Sequence, residues 1–114
     1  MLAFRLFLLS IIGVVLVYTG LVISAHGWGF LPVFFGDMAA MTWAGQFNLD
    51  FSCFLLLSGL WLAWRNHFTP VGLTLGALAL IGGAPFVAAY LLITSIRTNG
   101  DVKVLLLGKV RASS

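Results

Sequence analysis

Chemistry in this chain starts at Asp50, one of only three acidic residues among 114, in the octet Gly45 to Ser52, "GQFNLDFS", at the entrance to an apolar run. A carboxylate in mid-bilayer costs roughly 3 kcal/mol on insertion scales, so such a group usually serves a pathway, a proton relay or a buried partner. Gln46 lies four residues before it, on the same helical face, and Cys53 and Leu57 continue that stripe, whereas Asn48 points elsewhere. Three roles are open. Asn48 or Asp50 caps a helix whose membrane part begins a residue or two later; Asp50 meets His26, Tyr90 or Thr94 across a helix interface; or it belongs to a ligand, proton or ion site.

The other reactive side chains form no familiar constellation. His26 and His67 each stand at the end of an apolar run, glutamate is absent, and no second ligand falls at metal-binding spacing. Cys53 is the single cysteine, which excludes an intrachain disulfide and a C-x-x-C motif. Ser52 and Ser58 lack a patterned histidine and carboxylate to activate them. The glycines of "GALALIGGAPF" are no phosphate loop, because no lysine accompanies them. No metal or cofactor is expected, and an enzyme is not the expectation.

The elements that carry these residues are membrane helices. Hydrophobic residues make up 61% of the chain and charged ones 8%, against roughly 25% charged in a soluble domain, too few to hydrate a water-facing surface. The formal charge of +3 comes from scattered cations rather than the clustered basic face that nucleic acid needs. Such cations suit the headgroup region.

The expected fold is an all-α integral membrane protein in a single domain, with three transmembrane helices in a small up-down bundle. The spans are 4–25, 47–64 and 71–96. The first is longer than the apolar core of a signal peptide and is expected to stay as an anchor. Pro70 suits the first helical position of the third. Segment 26–46 is aromatic, broken by Gly27, Gly29, Pro32 and Gly36, and free of Lys and Arg. It is expected in the interface, with a re-entrant path as the alternative and a short helix over "DMAAMTWAG" capped by Asp37. The basic tail 97–114 turns at Asn99 and Gly100, and its apolar run 102–107 is too short to cross.

Three spans put the amino terminus and Arg65 on one side, and the tail on the other. The cation-rich tail then argues for one orientation, and Arg5 before an uncharged loop argues for the opposite one.

Small residues recur at helical spacing on all three helices. Gly72, Gly76, Ala79 and Gly83 line the third, Ser10, Gly13, Val17, Gly20 and Ser24 the first, and Ser52, Gly59 and Ala63 the second. Such faces let backbones approach where lipid supplies no hydrophobic drive, so bundle packing is their expected use and docking to a partner the alternative. Pro85 predicts a kink near Ile81 to Pro85.

The leading functional expectation is a small noncatalytic structural, assembly or accessory subunit of a bacterial inner membrane, in contact with lipid and with another membrane protein or itself. Its alternatives are an oligomeric transporter or proton-handling protein using Asp50, and a lipid- or quinone-handling protein whose aromatic segment Trp28 to Phe35 receives an apolar tail. Neither nucleic acid nor a soluble substrate is expected.

Overall fold

A computed structural model describes residues 1–113. The described residues are all-α: α1 (Leu2–His26), α2 (Phe30–Ala39), α3 (Trp43–Arg65), α4 (Pro70–Arg97), α5 (Val102–Leu107) and α6 (Lys109–Ala112). By length and composition α1, α3 and α4 are each long and apolar enough to cross a membrane, although α4 reaches that length only as the sum of two limbs that break at Gly83. The chain is therefore a small multi-pass membrane protein.

Local signals set the ends of these helices. Gly27, at φ 76°, closes α1 in a backbone conformation that side chains disfavour. The short helix between the first two spans is α2, and its position corrects the expectation of an Asp37 cap. Asp37 lies near its C-terminal end, and Pro32 is tolerated in its first turn, where a missing N–H breaks no helical bond. Thr42 caps α3, its Oγ1 accepting a 3.3 Å hydrogen bond from the Gly45 N–H. That start lies four residues before the expected Phe47, so Asn48 and Asp50 are interior to the helix. Neither of them is a cap.

α4 does not run straight. Gly83 sits at φ 63°, ψ −145°, outside helical geometry and in a region nearly restricted to glycine. A straight helix would set Gly72 and Tyr90 about 27 Å apart. Yet the Asn66 side chain is packed against Gly72, and its Nδ2 donates to Tyr90 Oη at 3.2 Å. The two limbs, 70–82 and 84–97, therefore fold back on each other with Gly83 at the tip. Limb 70–82 runs antiparallel to α3, from Asn66 beside Gly72, through Gly59 beside Gly76, to Phe51 and Leu55 beside Gly83. Limb 84–97 returns along α3 and α1, where Arg5 Nε and Nη2 donate to Oγ and O of Ser95 at 3.1 and 3.0 Å.

This return corrects the simple up-down arrangement. The amino terminus, the Arg65 turn and the tail lie at one end of the molecule. Each limb is about 20 Å long, too short to cross a hydrocarbon core of about 30 Å. The third position in the bundle is instead divided. The hairpin fills it from one end, and α2 packs against the opposite end of α3 and faces the end of α1 across a cavity.

Candidate functional site

Asn48 and Asp50 are separated by the fold. Asn48 is half-buried and donates from Nδ2 to the Phe34 carbonyl at 3.1 Å, which fastens α2 to α3. Asp50 is exposed, as are Gln46, Cys53 and Leu57 along the same stripe. Among the described residues Asp50 has no hydrogen bond or ion pair, so it meets none of His26, Tyr90 and Thr94. It lies seven residues beyond Trp43, about 10 Å along the helix.

His26 shares a cavity of about 480 Å³ with Asp37 and Asn48, walled by Val22, Phe30, Val33 and Phe34. No hydrogen bond or ion pair joins His26 to Asp37. No group of three or more His, Cys, Asp or Glu among the described residues could hold a metal ion. A second cavity, of about 410 Å³, opens between α1, α3 and the hairpin tip; Ser58 is its only polar side chain.

The glycine faces divide by helix. Gly72, Gly76, Ala79 and Gly83 of α4 are buried, as are Gly59 and Ala63 of α3. A Cβ on Gly76 would stand 2.7 Å from the Gly59 carbonyl oxygen, and one on Gly59 would stand 2.9 Å from that of Gly76. Backbone meets backbone here, which only glycine permits. Pro85 opens limb 84–97, where its missing N–H removes one donor from the broken end. On α1, by contrast, Ser10, Gly13, Val17, Gly20 and Ser24 are all exposed, and nothing approaches within 4 Å of a Cβ built on Gly13 or Gly20.

The most extensive polar network is built on Arg65 and Arg111, whose sequence positions mark them only as membrane-flanking cations. Arg65 donates from Nε to the Leu105 carbonyl at 2.6 Å, from Nη2 to Val104 at 3.1 Å and from Nη1 to Tyr90 Oη at 2.9 Å. It thereby binds the carbonyl end of α5, where the helix dipole favours a cation and Val104, already accepting from the Gly108 N–H, takes a second bond. Trp61 Nε1 donates to the Leu106 carbonyl at 3.1 Å, and its ring meets Tyr90 edge-on at 5.9 Å. Arg111 donates to the Trp64 carbonyl and stacks over the Trp64 ring at 4.0 Å. Gly108, at φ 84°, lets the tail turn against the Arg65 carbonyl. The tail is thus folded onto the end of α3, and its available signal was Asp101, whose carboxylate caps α5 by accepting from the Val104 N–H at 3.2 Å.

Comparison with family models, with characterised proteins and with solved structures gave no match.

Proposed function

We propose that the protein is a noncatalytic accessory subunit of a bacterial inner membrane, with α1 as the helix that docks on a larger membrane protein. The observation that carries this reading is the bare Ser10–Gly13–Val17–Gly20 seam: the small-residue faces of α3 and α4 are consumed inside the bundle, while that of α1 has no neighbour among the described residues. Asp50 adds support. An exposed carboxylate about 10 Å into α3 is costly against lipid and gains from a polar group on a partner. A path along Asp50 would likewise need several copies, since its helix face encloses nothing by itself.

The fold-back supports an orientation with both ends of the chain in the cytoplasm. Arg5, Arg65, Arg97, Lys103, Lys109 and Arg111 all gather at the end of the tail, which satisfies the positive-inside rule without the conflict that three straight spans create. α2 then lies at the opposite interface, flanked by Trp28 and Trp43, which are 81% and 78% exposed.

Photocrosslinking from Gly13 and Val17, followed by purification in mild detergent and mass spectrometry, tests the subunit reading. Adducts with one larger membrane protein are expected, and self-adducts would make the assembly a homo-oligomer. Recovery of monomer alone, crosslinked only to lipid, would sink it.

A lipid- or quinone-handling role is favoured by one feature, the aromatic cavity beside His26, Asp37 and Asn48. A photoreactive isoprenoid quinone should then label Phe30 or Phe34. Labelling spread evenly over lipid-facing residues would remove this reading.

A further inference from the structure

We infer that the cleft between the hairpin limbs and the docked tail is a binding site for the phosphate headgroup of an anionic phospholipid. It has a volume of about 590 Å³ and is lined by Arg65, Arg97 and Lys109, with Thr98 as a hydroxyl-bearing neighbour and, among the described residues, no carboxylate on its wall. Asp101, the one acidic residue at this end, is already engaged as the α5 cap.

The cations have different roles. Arg65 is held in place by the Leu105 and Val104 carbonyls and by Tyr90, which leaves N–H donors of its planar fork preoriented. Arg97 and Lys109 are exposed, and their side chains have no hydrogen bond or ion pair among the described residues. They are free to close on an anion, and a phosphate is the group whose several oxygens can accept from all three. The carbonyls at the C-terminal end of α3, which would repel an anion, are taken: Leu62 by Asn66, Ala63 by the Phe68 N–H and Trp64 by Arg111.

Val71 and Leu75 supply the argument for a lipid over a soluble phosphate. They form an apolar wall beside the cations, running down limb 70–82 toward the membrane interior. A diester headgroup seated on the cations would lay the start of an acyl chain along them. The site uses neither the α1 seam nor Asp50, so it stands or falls independently of the proposed partner.

Native mass spectrometry of the intact protein, released from detergent and titrated with phosphatidylglycerol or phosphatidylcholine, tests the inference. One saturable phosphatidylglycerol is expected, with phosphatidylcholine binding only weakly. Arg97→Gln and Lys109→Gln, which break no intrachain bond, should each weaken it roughly tenfold, the scale of one charge-assisted hydrogen bond. Lys103→Gln removes the same charge outside the cleft and should leave affinity within about twofold. An equal loss with Lys103→Gln would overturn the site in favour of general surface attraction. Displacement of the lipid by millimolar inorganic phosphate, or equal binding of glycerol phosphate, would overturn the lipid in favour of a soluble phosphate.

Discussion

Straightening α4 would move the tail to the other side of the membrane, so the fold-back at Gly83 can be tested by asking where the tail lies. In a background of Cys53→Ser, single cysteines at Leu2, Met41 and Ser113 report the two ends of the molecule; Leu2 and Met41 are 71% and 90% exposed. In sealed vesicles a membrane-impermeant maleimide should label Leu2→Cys and Ser113→Cys from one side and Met41→Cys from the other. Labelling of Ser113→Cys from the Met41 side would refute the hairpin and everything argued from the shared basic end.

The same assay can be pushed to a quantitative comparison. A side chain at Gly83 must adopt φ 63°, ψ −145°, at a cost of about 1–3 kcal/mol, and its Cβ would stand 3.3 Å from the Phe51 ring. Against that strain stand the three Arg65 hydrogen bonds, which straightening would break. Bonds to a charged donor contribute about 1.5–3 kcal/mol each, so together they hold the hairpin by roughly 5 kcal/mol or more. The retaining term exceeds the strain. Gly83→Ala alone should therefore lower stability by about 2 kcal/mol and leave the labelling pattern intact. Combining it with Arg65→Met should bring part of the Ser113→Cys population to the opposite side. A flipped tail in Gly83→Ala alone would show that the Arg65 network does not hold the limb.

Glycine substitutions should separate by helix: Gly59→Ala and Gly76→Ala each lose about 1–3 kcal/mol in detergent unfolding, because neither backbone can rotate away, whereas Gly13→Ala gains up to about 1 kcal/mol from helix propensity. Equal effects at Gly13 and Gly76 would contradict the packing. Asn48→Leu leaves the Phe34 carbonyl without its partner and should speed hydrogen exchange across 30–39, with α1 unchanged. Thr42→Ala should cost about 1 kcal/mol as a lost cap, while Asp50→Asn should leave monomer unfolding within about 0.5 kcal/mol, since the carboxylate has no partner among the described residues. A large loss in Asp50→Asn would show an intrachain role that the geometry lacks.

Length and apolarity made the long helices legible, because a run of about 20 apolar residues has few other uses. The break near Pro85 was legible too, but its size was not. Proline within a helix reads as a kink. "GGAP" also reads as a stop followed by a start, glycine closing one helix and proline opening the next, as Thr69 and Pro70 do for the first limb. The choice between a kink and a reversal depends on what the limb ends meet, and those contacts are distant: Asn66 with Tyr90 and Arg65 with Leu105. The cap reading of Asp50 fails for a related reason. Trp43 and Gly45 resemble loop, yet the Thr42 cap and the close pass of α2 over Gly45 carry α3 through them.

A reversal inside the bundle raises a backbone question that the side chains answer. Non-helical chain at membrane depth must be covered by protein, because lipid cannot satisfy its N–H and C=O groups. Gly83 is buried, with the Phe51 ring and Leu55 against it from α3. Pro85 removes one donor at the start of the returning limb. The glycine face of limb 70–82 brings the tip close enough to α3 for this cover, since any Cβ at Gly76 would hold the helices apart. The seam, the break and the proline are thus one device, which returns the chain to the end where Arg65 receives the tail. α1 contributes its Leu8 face to that device and leaves its glycine seam outside it. α1 thus spends one face on the bundle and keeps a second, small-residue face bare among the described residues, the face that the proposed subunit role gives to a partner.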